Sequence, residues 1–132
     1  MKFPLIVFLI GAAISGSALG NRYDLTAQDA GRMVSLRYGD ALTIHLPANP
    51  STGYLWSVTL SRSDILTPVG GGEILYPSHG SGERLLGAGG IQEWTFRAIR
   101  SGNTKMLYVY SRPWERGVAP ACKIAWPVSV KE

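Results

Sequence analysis

Apolar and polar residues alternate along this chain in short bursts, and turn-forming residues punctuate the bursts at short intervals. Leu42, Ile44 and Leu46 alternate with Thr43 and His45, which predicts a half-buried strand ended by Pro47. Tyr54, Trp56, Val58 and Leu60 follow with the same period, and Met33 to Arg37 is a shorter candidate closed by the Tyr38-Gly39-Asp40 turn. Ile65 to Val69 and Glu73 to Tyr76 read as two strands separated by Gly70, Gly71 and Gly72. Trp94, Phe96 and Ala98, then Met106, Tyr108 and Tyr110, predict a hairpin about Ser101-Gly102-Asn103 in the middle of a sheet. Ile124, Trp126, Val128 and Val130 make the last strand, where Pro127 points to a sheet edge that tolerates a missing N–H. Asn21 to Arg32 is weakly patterned and reads as a lead-in or edge segment.

Eight short strand candidates without a helical period predict an all-β protein, an antiparallel β-sandwich. Trp56, on an early central strand, is the kind of tryptophan that immunoglobulin-like sandwiches bury. Trp94, Trp126, Tyr108 and Tyr110 are expected in or near the same core, since each stands in strand register with other apolar residues. No repeat or internal linker interrupts the pattern.

The first 20 residues break it. Met1 and Lys2, an apolar run from Phe3 to Ile14, and a small polar stretch from Ser15 to Gly20 have the order of a secretory signal peptide cleaved before Asn21. The run is too short to span a bilayer comfortably, and no Cys follows it to take a lipid. Removing residues 1–20 from the 132-residue chain leaves 112, one domain at 21–132 and enough for a core. The product is expected to be exported, to periplasm, medium or a vesicle lumen, with no membrane attachment, and to be a monomer. Loss of Lys2 lowers the formal charge from +4 to +3, too mild and too dispersed to suggest nucleic acid.

Cys122 is the lone cysteine, so no internal disulfide forms; its register with Ile124 and Trp126 predicts a buried, inert thiol. His45 lies on the polar side of a strand and His79 in a Gly/Ser loop, neither with metal-ligand spacing. Both read as solvated or locally bonded, and no metal or cofactor is expected. Ser, His and acidic residues occur without an activated constellation, so the chain does not read as an enzyme.

Three connections remain. Asn49-Pro50-Ser51-Thr52-Gly53-Tyr54 is a stiff polar turn: Asn49 bonds its own backbone, Pro50 restricts φ, and Gly53 accepts positive φ. Pro77 to Gly90 carries five glycines and ends in Gly87-Ala88-Gly89-Gly90, which has almost no side chains and lets another backbone come close. Arg112-Pro113-Trp114 opens a charged loop. Each alone also fits an ordinary turn, with Arg112 solvated or paired to Glu115 and Trp114 packed on the sandwich.

Together, and in this order, they resemble the chagasin-type inhibitors of papain-like cysteine peptidases. That family carries Asn-Pro-Thr-Thr-Gly plus an aromatic, then Gly-x-Gly-Gly, then Arg-Pro-Trp, and Trp94 to Ala98 matches its intervening Trp-x-Phe-x-Ala. The departure is Ser51 for the first Thr, which loses a methyl and keeps the hydroxyl. The resemblance implies an immunoglobulin-like sandwich of about eight strands whose three loops sit side by side at one end and enter the peptidase cleft. The Asn49 loop would be the central wedge over the catalytic cysteine, with Ser51 and Thr52 at its tip and the Gly87 and Arg112 loops on either side. A secreted immunoglobulin-like adhesion or carbohydrate-binding module, with Trp114 and a tyrosine as a sugar platform, is the alternative.

Overall fold

Apolar residues spaced by two share one face of a strand, and the cheapest way to hide such faces is to press two sheets together. The structure is a computed structural model that describes residues 20–76 and 89–132, so the leader, His79, Gly87 and Ala88 lie outside the described residues, Gly20 apart. Eight strands are present there: β1 (Arg22–Thr26), β2 (Val34–Arg37), β3 (Ala41–Ala48), β4 (Leu55–Leu60), β5 (Leu66–Leu75), β6 (Gly90–Ala98), β7 (Gly102–Ser111) and β8 (Cys122–Lys131). They form two four-stranded sheets, ordered β1-β3-β6-β5 and β2-β8-β7-β4.

Between the sheets lie Leu42, Ile44 and Leu46 of β3, Trp94 and Phe96 of β6, Met106 and Tyr108 of β7, and Trp126 and Val128 of β8, all buried. Tyr108 links the layers, meeting the Trp94 ring edge-on at 4.8 Å and the Trp126 ring at 5.7 Å. Each fully buried Leu or Ile of this set contributes roughly 2 kcal/mol, and the core is large enough to hold a fold that lacks a disulfide.

The predicted sandwich is correct and its wiring differs in several places. The expected strands at 65–69 and 73–76 are one strand, β5, with register shifts between Pro68 and Gly70 and between Gly71 and Glu73. Glycine suits this stretch, since Gly72 takes φ +80° and a Cβ on Gly71 would lie a tight 3.1 Å from the Trp94 indole Cδ1. The lost strand is replaced by β1, drawn from the weakly patterned lead-in, so the count stays at eight.

The sandwich is not wholly antiparallel: β1 pairs parallel with β3 and β2 parallel with β8. Parallel neighbours need a crossover, and β2, sitting in the opposite sheet, supplies it between β1 and β3. The predicted hairpin of β6 and β7 is also absent, since the two strands lie in different sheets and face each other across the core. Alternation says which face is apolar. Whether its partner lies beside or opposite depends on the rest of the chain.

Pro47 does not end β3, which continues to Ala48. Beyond His45 the ladder with β1 has stopped, and the Pro47 carbonyl accepts the Trp56 indole N–H at 2.9 Å. Pro127 is not on an edge strand, for β8 lies between β2 and β7. Pairing with β2 begins at Val128, so the missing N–H falls just outside that ladder. Trp56 is in the core, yet β4 is an edge strand and not a central one. The buried Gln92 reaches it from the other sheet, accepting the Trp56 N–H at 3.0 Å and donating to the Trp56 carbonyl at 3.4 Å. Cys122 is exposed, against expectation, because the first residue of β8 lies beyond the reach of the core.

Candidate functional site

Strand register places the three connections at one pole. Ala48, the last residue of β3, is paired with Gly90, the first of β6, so the Asn49 turn and the glycine loop start side by side. Leu55, the first residue of β4, is paired with Ser111, the last of β7, which sets Arg112 beside Tyr54.

The Asn49 turn is held by its own polar atoms. Pro50–Thr52 form a single 3-10 turn, Gly53 closes it at φ +87°, and the Gly53 N–H donates to the Pro50 carbonyl at 2.9 Å. The Asn49 side-chain oxygen accepts the Ser51 hydroxyl at 2.6 Å and the Ser51 N–H at 3.3 Å. The Thr52 hydroxyl donates to the Asn49 carbonyl at 2.7 Å. Ser51 therefore uses its hydroxyl inside the loop, and the methyl that distinguishes it from the family's Thr takes no part in that bond. Both residues remain exposed at the tip.

Below the turn lies an aromatic support. Tyr54 stacks on Tyr110 at 5.4 Å, Tyr110 packs on Trp56 at 4.8 Å, and the Tyr110 hydroxyl accepts the Asn49 N–H at 3.2 Å. Sequence reasoning placed Tyr110 near the core without a link to the Asn49 turn. The link depends on the pairing of β4 with β7, which alternation within either strand does not specify.

Arg112 ties its own loop to the Asn49 turn. Its Nε donates to the Thr52 carbonyl at 3.0 Å, its guanidinium carbon lies 4.5 Å from the Tyr54 ring centroid, and Nη1 reaches Glu115 at 3.4 Å. The pairing with Glu115 considered from sequence is thus present, alongside two contacts to the neighbouring loop. Trp114 is 67% exposed, and its indole covers Gly53 so closely that a Cβ on Gly53 would collide with it. Pro113 stands between the two, exposed. On the other flank a Cβ on Gly89 would lie 3.3 Å from the Ala48 carbonyl and 3.9 Å from the Asn49 Cβ. Tyr54, engaged by Arg112 and Tyr110, is not free to form an open aromatic platform with Trp114 for a sugar.

Among the described residues no cluster of His, Cys, Asp or Glu could hold a metal ion, and no helix is long and apolar enough to cross a membrane. What the described residues present is a ridge in which the Asn49 turn lies between Gly89 and Gly90 on one flank and Arg112 to Trp114 on the other. The class this defines is a β-sandwich that gathers connections from both sheets at one pole, the end from which immunoglobulin-like domains present their loops.

Residues 35–128 match the family described as chagasin family peptidase inhibitor I42. Amoebiasin-2 of Entamoeba histolytica is 27% identical over 124 residues, which span 94% of this chain and 98% of that protein. Among solved structures, the cysteine protease inhibitor EhICP2 of Entamoeba histolytica superposes with a TM-score of 0.75 at 28% identity, over 88% of this chain and 100% of that one. The solution structure of Amebosin does so with a TM-score of 0.66 at 26% identity, over 85% and 100%. The chain belongs to the chagasin family of peptidase inhibitors, and is an inhibitor and not an enzyme.

Proposed function

We propose that this protein reversibly inhibits papain-like cysteine peptidases by filling their active-site cleft with the ridge formed by Asn49–Tyr54, Gly87–Gly90 and Arg112–Trp114. The observation that carries the reading is the contiguity of the described residues of these segments, with Gly89 against Asn49 on one side of the turn and Trp114 over Gly53 on the other. In the complex the Asn49 turn lies over the catalytic thiolate and blocks it without offering a correctly placed scissile bond. Because the turn is already bonded internally, little conformational freedom is lost on binding. The glycine loop offers backbone N–H and C=O groups as an extended substrate does, while Arg112 and Trp114 are residue types that dominate interface energetics. A footprint of about 800 Å² per partner is expected, the standard size for tight inhibitors.

Export belongs to the same proposal: the leader 1–20 is removed before Asn21, and the 21–132 product acts as a soluble monomer outside the compartment of its synthesis. Titration of papain or a cathepsin L-like peptidase with the protein tests the inhibition, and undiminished turnover at micromolar inhibitor would sink it. Joint replacement of Ser51 and Thr52 by alanine, and Trp114→Ala separately, should each weaken inhibition at least tenfold without loss of folding. Unchanged inhibition constants for both would overturn the site assignment.

A further inference from the structure

We propose that cleavage before Asn21 creates a structural cation: the new α-ammonium of Asn21 seats on the buried carboxylate of Asp40 and locks β1 onto the sandwich. The inference rests on the leader reading of residues 1–20. Asp40, in the turn between β2 and β3, is 2% exposed. Its Oδ2 accepts the Arg37 backbone N–H and its Oδ1 accepts the Asn21 N–H, both at 2.8 Å.

Among the described residues no Lys or Arg side chain makes an ion pair with this carboxylate. The charged groups packed around it are directed elsewhere or are its neighbours in one hollow. The Arg37 guanidinium donates to the Glu132 carbonyl at 3.4 Å, and that of Arg97, from β6, to the Gly39 carbonyl at 3.0 Å. Lys131 and Glu132, at the end of β8, line the same hollow as Asp40 and Arg37. A carboxylate withdrawn from water without an ion-pair partner is costly.

While the Gly20–Asn21 bond is whole, the donor facing Oδ1 is a neutral amide. Hydrolysis by a leader peptidase consumes one water, places the new carboxylate on the departing Gly20 and leaves an amine on Asn21. Free α-amines have a pKa of about 7.7–8.0, so the amine is largely protonated at neutral pH, and the same nitrogen then makes a charge-assisted bond. It is well held, because the Asn21 carbonyl accepts the Ala41 N–H at 2.8 Å at the start of the parallel ladder of β1 with β3. The site also reads the position of the cut. A Cβ on residue 20 would collide with Asp40 Oδ1 and lie 2.8 Å from the Asp40 backbone nitrogen, so a larger residue retained before Asn21 displaces the carboxylate.

The test starts from the full chain produced in an exporting host, with the N-terminus read by mass spectrometry and expected at Asn21. In the folded product the α-amine, titrated by NMR, should have a pKa raised by about one unit above the ordinary 7.7–8.0, and Asp40→Asn should restore the ordinary value. The Nα-acetylated product, which keeps Asp40 and the hydrogen bond without the charge, serves should that variant not fold. A raised folded pKa means the contribution is complete below the unfolded value and lost as pH rises through the folded one. Acetylation should therefore lower Tm by several degrees at pH 6–7, with the gap closing above pH 9. Peptidase inhibition should be unaffected, since Asn21 pairs at the start of β3 and the ridge springs from its end. An ordinary amine titration with no gap in Tm overturns the proposal and leaves the leader reading standing, whereas a cut at another bond overturns both.

Discussion

Gly53 has a double duty that only glycine satisfies. At φ +87° a Cβ costs about 1–2 kcal/mol, and at this position it also runs into the indole of Trp114. Gly53→Ala should lower the unfolding free energy by about that amount in urea titration while weakening peptidase inhibition by more than tenfold, because Trp114 must leave its seat. Equal inhibition constants for variant and parent would show that the seat is not part of the binding surface. The first duty was legible in Asn49-Pro50-Ser51-Thr52-Gly53, where local turn chemistry demands a residue that accepts positive φ. The second was not, since nothing near Gly53 in the chain announces that a side chain from a distant loop will lie on it.

At the scale of strands, β1 and β6 are stapled to β3 by one histidine. His45 bonds Asp24 of β1 through Nε2 at 2.9 Å and Glu93 of β6 through Nδ1 at 2.8 Å. Its pKa is raised, first by the bond to Asp24; partial burial opposes this, and the bond to Glu93 and both carboxylate charges reinforce it. A raised folded pKa gives stability that is complete below the ordinary value of about 6.5 and lost as pH rises through the folded value. The stability advantage of the parent over His45→Gln should therefore be largest near pH 5.5 and fade above neutrality. It should not exceed about 1 kcal/mol, because Asp24 is half exposed and screened. Thermal melts of both proteins between pH 5 and 9 check this, and a pH-independent difference would rule the staple out. The alternation around His45 marked it as polar-facing and locally bonded; the identity of its partners required knowing that β1 and β6 flank β3.

For the whole molecule, the consequence of one exposed thiol is a fold indifferent to redox conditions. Reductant should leave the urea midpoint of the monomer unchanged, and iodoacetamide should label Cys122 in the native state at a rate near that of the unfolded chain. Protection by orders of magnitude would restore the buried thiol that its register with Ile124 and Trp126 suggested. That register was right for the face and silent about depth: Cys122 opens β8 at the ridge pole, where it is paired with the half-buried Tyr110.

Binary alternation and turn chemistry were enough to determine an all-β sandwich, its main core residues and the local form of the Asn49 turn, because each of these is set within a few residues. The tertiary structure alone decided that β6 and β7 oppose each other, that β1 and β2 run parallel to their partners, and that Trp114, Arg112 and Gly89 meet around one turn. Those outcomes depend on pairing between strands remote in the chain. Side-chain period says which face a residue takes, and only the register between distant strands says which residue stands beside it.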